Sequence, residues 1–249
     1  MKLKPGSEEF QEYYKQHVEK HRTNDTGEKL RDFILGGQDG LVNVLGVILG
    51  VASATNDVRI VIIAGLAATF AESISMAAVA FTAIKAERDF YESEVEREKK
   101  EIEDEPEMEK HEIREIYYQK GFRGKDLELI VNKITADKKI WLNVMMREEL
   151  NLSDRDLNNP LNNAIVVGVS ALFGSVIPLI PFFFLPIGMS MQLAVVLAVA
   201  TLFAAGAVKA KLTHGKWWKS GLELAAIGIT AALVGYAIGA VLGATMMAG

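Results

Sequence analysis

The sequence predicts an all-α membrane protein with five transmembrane helices and a three-helix cytoplasmic insert between the second and the third. Three observations predict it. Half of the 249 residues are hydrophobic, yet the charge is segregated: residues 1–32 and 85–159 are densely charged, while 33–84 and 160–249 hold only a few ionisable groups. The apolar regions divide into the runs 33–53, 60–84, 161–181, 187–208 and 221–247, each long enough to cross a bilayer at about 20 residues per span. Loops between five spans alternate sides, and 26 of the 27 Lys and Arg residues then fall on one side, as cytoplasmic loops require. The composition also excludes other classes. There is no cysteine, hence no disulfide and no thiolate metal site. A net charge of -5 without a basic stripe offers nothing to a nucleic acid.

Taken in order, residues 1–32 form a cytoplasmic N-terminal amphipathic arm with 7 basic residues. Its His17 and His21 have a metal-compatible i,i+4 spacing, but nothing fixes a third ligand there, so an exposed arm is the expectation. Transmembrane helices 1 and 2 occupy 33–84, joined by the turn ATNDVR, whose Arg59 is the only basic residue on the far side. Residues 160–249 hold helices 3 to 5. Asn159-Pro160 opens the third, a capping residue followed by proline in a first turn. PFFFLP makes a tight turn before the fourth, and KAKLTHGKWWKS follows, with 4 basic residues and Trp217-Trp218 as an interface anchor. The N-terminus is thus cytoplasmic and the C-terminus lies opposite. With no targeting extension visible, a prokaryotic plasma membrane is the expected location.

The insert, 85–159, carries 21 acidic and 15 basic residues. KAERDFYESEVEREKKEIEDE continues the second span as a helix until Pro106 breaks it. EMEKHEIREIYYQK makes a second helix, ended by Gly121, and a third runs from about Lys125 to Leu150. Glu87, Glu94, Glu98, Glu101 and Glu105 step by 7, 4, 3 and 4, which draws one stripe on a helix face. Glu109, Glu112 and Glu115 step by threes. Met145 and Met146 lie four and three residues before Glu149, so the three can share a patch. Solvated helices mix charge signs, and Lys99, Lys100 and Lys110 do some mixing here. A cation would turn the carboxylates' mutual repulsion into affinity. Thioether sulfur suits a soft first-row ion better than Ca²⁺ or Mg²⁺, although paired methionines beside Trp141 also read as core filler.

The spans contain groups that hydrocarbon disfavours. Asp39, Asn43, Gly46 and Gly50 form one stripe of the first, and Thr69, Glu72, Met76 and Ala80 one face of the second. A carboxylate at such depth costs roughly 2.5–3.5 kcal/mol on insertion scales, so it marks a cavity or pathway by default. No basic residue within the spans neutralises either acid. Gly46 and Gly50 make a helix-packing motif, and Gly36, Gly37 and Gly40 leave space for a partner helix or a hydrated ion beside Asp39. Glu223, at the start of the fifth span, reads as an interface residue. Carboxylates and a methionine in the membrane repeat the chemistry of the insert. They describe a path for a divalent transition metal, along which a carboxylate holds an ion or a proton in turn.

GGQDGLVNVLGVILGVASA, AESISMAA, EREKKEIEDEPEMEKHEIREIYYQKG and LNVMMREELNL, in this order and at this spacing, resemble the vacuolar iron transporter family from about Glu19 onward. The resemblance implies a homodimer in the lipid bilayer with a pathway at the dimer interface. It implies Fe²⁺ export from the cytosol in exchange for H⁺, with the insert collecting metal; Fe²⁺ is a substrate and no cofactor is tightly bound. It assigns membrane-site ligands to Asp39 and Met76, and insert ligands to Glu98, Glu101, Glu109, Glu112, Met145, Met146 and Glu149, with Glu115 a further one. One position departs. Some members carry a second-span glutamate where this chain has Ala68, and here Glu72 stands one turn before Met76 instead, as a replacement ligand or a proton site. The ligand set barely separates Fe²⁺ from Mn²⁺, Co²⁺ or Zn²⁺. A membrane-anchored iron-oxidising or storage protein is the other reading, but di-iron bundles use Glu-x-x-His pairs, and His111 has Met108 three residues before it. A metal sensor without transport is a third. The expectation is therefore a transporter and not an enzyme.

Overall fold

The computed structural model describes Ser7, Glu12 and residues 24–152, 159–212 and 215–247; His17 and His21 lie outside them. Helix α1 runs Asn24–Thr55, α2 Val58–Asp104, α3 Pro106–Gln119, α4 Gly124–Thr135 and α5 Lys138–Val144, which passes into a π-helical turn at Met145–Glu149. Then come α6 Pro160–Leu179 with a 3-10 turn at Ile180–Phe183, α7 Ile187–Leu212 and α8 Trp217–Met247. Among the described residues five helices are long and apolar enough to cross a membrane: α1 from Leu30, α2, α6 with its 3-10 turn, α7 and α8. The five apolar runs are therefore five helices. The chain divides into two compact units, Met1–Ala80 with Leu161–Gly249, and Phe81–Pro160.

In the first unit α1 is the central element. Leu41, Val44, Leu45, Ile48, Leu49 and Ala52 of α1 are buried among Val61, Leu179, Phe182, Ala194, Ala198, Leu202, Leu224 and Ala232. Small residues set how closely the other helices approach. A Cβ on Gly40 would meet the Ala171 carbonyl oxygen at 2.3 Å, and one on Gly174 would meet that of Gly37 at 2.0 Å, so α6 lies against α1 backbone to backbone. Gly235 and Gly239 of α8 press on Gly46 and Gly50 in the same way. The space beside Gly36, Gly37 and Gly40 is thus filled by α6 of the same chain, and the Gly46/Gly50 motif by α8. On α2, Ser73 Oγ donates to the Gly168 carbonyl of α6 at 2.7 Å, and Ala68 packs against the membrane core.

The second unit has its own core of Ile102, Ile113, Leu127, Val131, Ile134, Trp141 and Met145. Pro106 sits in the first turn of α3, and Gly121, at φ +100°, follows its end, where only glycine is unstrained. The third predicted helix of the insert is not one helix. It divides into α4, α5 and the π-turn, because Asp137 Oδ1 accepts from the backbone N–H of Lys139 at 2.8 Å and of Ile140 at 3.3 Å and so starts a new helix. Ion pairs tie the pieces together from outside: Arg114 to Glu128 at 2.9 Å, Lys138 to Glu103 at 3.1 Å, and Lys120 to Glu148.

Candidate metal sites

The first site lies in the membrane unit. Leu35, Gln38, Asp39 and Val42 of α1, Met76 of α2 and Ile227 of α8 line a cavity of about 360 Å³. Packing on α6 fixes both helices that carry the polar groups: α1 through Gly36 and Gly40, and α2 through Ser73. Asp39, Glu72 and Met76 are each half-buried. The Glu72 side chain interacts with Asp39 and Asn43, so the carboxyls of the two spans face each other. Among the described residues neither acid forms an ion pair. Glu223, by contrast, is exposed near the start of α8. The cavity's polar lining is thus the Asp39 carboxyl, the Met76 thioether and, at Gln38, an amide that hydropathy alone gave no reason to single out, while the Glu72 carboxyl and the Asn43 amide meet each other beside Asp39.

The second site lies in the insert. Carboxylate oxygens of Glu98, Glu101 and Glu109 fall within 4.8 Å of one another. Glu98 is 1% exposed and Glu109 4%, and one oxygen of each, Oε2, has no hydrogen-bond partner in the protein. A buried acceptor left so is costly. Burial pushes the Glu98 carboxyl up to about 7, helped by the charges of Glu149 and Glu101 and resisted by Arg97. Burial likewise pushes Glu109 up to about 7, helped by Glu112 and Glu98. Glu149 is raised for the same reasons, burial first and then Glu112 and Glu101. Five acids, Glu98, Glu101, Glu109, Glu112 and Glu149, therefore feel one another. A divalent cation fits such an oxygen set, and it would relieve the repulsion and supply the missing partners.

Not all of the predicted ligands join this group. Glu115 is exposed and accepts a hydrogen bond from Gln119 at 3.1 Å. Both methionines are buried. Met145 packs in the insert core, whereas Met146 lines a cavity of about 240 Å³ with Tyr91, Val95, Lys99 and Lys139 among its walls. They and Glu149 sit on the π-turn, closed by Leu150 N–H donating to the Met145 carbonyl at 3.2 Å. Such widened turns recur at functional sites, and the helical spacing in the sequence gave no sign of this one. Sequence reasoning also passed over Arg97. Its guanidinium lies 2.8 Å from Glu94, 3.9 Å from Glu98 and 3.6 Å from Glu101.

A model of the VIT family matches residues 30–240. Vacuolar iron transporter 1 of Eucalyptus grandis is 34% identical over 233 residues, covering 93% of each chain. That of Arabidopsis thaliana is 34% identical over 89% of this chain and 88% of its own. The vacuolar iron transporter of Plasmodium falciparum is 32% identical over 95% of this chain and 90% of its own. All three are named as transporters rather than enzymes, and none of these names supports the prokaryotic plasma membrane expected above.

Proposed function

This chain belongs to the VIT family, and from that premise we propose that it carries Fe²⁺ across a membrane, out of the cytoplasm and in exchange for protons. The observation that carries the proposal is the meeting of Glu72 with Asp39, which lines a cavity of the membrane unit together with Met76. Two carboxylates at that depth repel each other, and either a divalent cation or protons relieve the repulsion. A site that is neutralised by one or the other, but not by both, exchanges them. The Met76 thioether favours a first-row transition metal over Mg²⁺ or Ca²⁺.

The glutamates of the insert collect the ion on the side where the basic loops place the cytoplasm, and Met145 and Met146, on the turn that carries Glu149, become soft donors only if that turn rearranges. The direction of transport is set by the proton gradient, with the insert on the loading side. The working unit is a homodimer: Asn43 is exposed and the Asp39 cavity opens at the surface of the single chain. Open polar groups at membrane depth call for a cover, and a two-fold partner both covers them and doubles the ligands.

Purified protein in liposomes, with a pH-sensitive dye inside, tests the proposal. Fe²⁺ entry should be accompanied by loss of internal protons, and Asp39→Ala should abolish both signals. Wild-type flux in Asp39→Ala would remove the pathway from this site. Flux without any proton signal would remove the exchange. Competition by Mn²⁺, Co²⁺ and Zn²⁺ in the same vesicles measures selectivity.

A further inference from the structure

The insert carries its own competitor for the metal. Glu98, Glu101 and Glu109 bring oxygens within 4.8 Å of one another, and a fourth charged group reaches the same place: the Arg97 guanidinium. It stands 3.6 Å from Glu101 and 3.9 Å from Glu98, two of the three acids, with its shortest contact, 2.8 Å, to Glu94 outside the group. Among the described residues, three other cations paired across the insert are spent elsewhere. Arg114 holds Glu128, Lys138 holds Glu103 and Lys120 holds Glu148, none of them an acid of the triad.

We propose that Arg97 is an internal counter-ion that competes with the metal for Glu98 and Glu101 and thereby sets the concentration at which the insert fills. The inference rests on the reading of the glutamates as metal ligands. A guanidinium beside two of the ligands stabilises the empty site and repels an arriving dication, and both effects weaken binding. Arg97 does not have to leave the neighbourhood for the metal to enter. Its side chain is half-exposed, and Glu94, a half-buried acid one turn earlier on α2, keeps it when the triad turns to the metal. The short 2.8 Å contact is already to that holding residue. Loading is then a transfer of Arg97 from three acids to one, over a movement of one side chain. The consequence for transport is a threshold: the insert stays empty at low metal and releases what it holds more readily than bare carboxylates would.

The test is Mn²⁺ titration calorimetry on the full-length protein in detergent at pH 8, where the carboxylates are ionised, with wild type, Arg97→Gln, Arg97→Met and Arg97→Lys. Removing the charge should tighten Mn²⁺ binding about three- to tenfold at low ionic strength. In 0.5 M KCl, with a Debye length of only a few Å, most of that difference should vanish. Arg97→Lys should stay within about twofold of wild type, since the charge remains. A merely structural arginine would give weaker binding in the neutral variants, with no salt dependence of the difference. Arg97→Met keeps the apolar stem packed, so it reports the charge if Arg97→Gln fails to fold. Unchanged or weaker Mn²⁺ binding in both neutral variants overturns the proposal. If the wild type binds no Mn²⁺ that Glu98→Gln with Glu109→Gln removes, the metal reading of the insert falls first and this inference with it.

Discussion

The insert's chemistry turns on single carboxyls whose protons leave near neutrality. Glu98 and Glu109 are both pushed up to about 7 by burial and by neighbouring acids. A metal must displace those protons, so Mn²⁺ affinity should climb from pH 6 to pH 8 and level off above, read by calorimetry across that range. Glu109→Gln should weaken binding at pH 8 and flatten the climb. The same shift makes a second prediction about the metal-free protein. In the folded state each carboxyl keeps its proton up to about 7, while in the unfolded chain it loses it near 4.5. The folded state therefore binds more protons between those values, and stability falls as pH rises through that window. Thermal unfolding of the insert should be highest near pH 5 without metal, and Mn²⁺ should restore the loss at pH 8. An unfolding temperature that rises from pH 5 to pH 7 without metal would contradict the shift. Much of this site was legible in sequence, because Glu98 and Glu101 fall on one turn of a stripe. Glu115 misled for a geometric reason: each step of three falls about 60° short of a full turn, so by Glu115 the row has drifted about 120° from Glu109. Arg97 was hidden because its i,i+4 spacing to Glu101 is that of any helical ion pair.

Elements meet through absences of side chain as much as through contacts. A Cβ on Gly239 of α8 would lie 1.9 Å from the Gly50 carbonyl oxygen and 2.2 Å from Ser53 Oγ of α1. The obstacle is backbone, which cannot rotate away, so Gly239→Ala must push α8 off α1 at a cost of about 1–3 kcal/mol. Its thermal midpoint in detergent should fall accordingly, while Gly188→Ala, with nothing within 4 Å of its Cβ, should leave it unchanged. Equal midpoints for the two variants would show that the close approach carries no energy. The sequence announced the Gly46/Gly50 motif but not its partner, since small residues advertise a near helix without naming it. The insert's last helix failed for the opposite reason. Its apolar period ran on through residue 137, and only the Asp137 cap, a local hydrogen bond, divides it. Asp137→Ala should cost about 1 kcal/mol, seen as earlier melting of the Trp141 fluorescence signal.

At the scale of the molecule, the division of hydropathy made the five long helices readable: five apolar runs, five helices. What one chain's sequence could not carry is the number of chains, because an exposed apolar helix face reads alike whether lipid or a second copy covers it. Ile63, Phe70 and Ile74 of α2 are 68%, 58% and 70% exposed in the single chain, on the helix that also carries Glu72 and Met76. The Asp39 cavity is why we propose a second copy as the cover. Lipid would set Asp39, Glu72 and the exposed Asn43 against hydrocarbon, whereas a second copy would supply the same ligands again across a two-fold axis. The measurement is to purify mixed dimers, one copy wild type and one Asp39→Asn, through two different affinity tags, and to reconstitute them. If both copies line one path, a single altered aspartate should remove most of the Fe²⁺ flux. If each chain has its own path, the mixed dimer should keep about half of the wild-type rate. Failure of two-tag purification, with single chains alone transporting at the wild-type rate, would take the second copy out of the mechanism and leave the cavity of one chain to serve as the whole pathway.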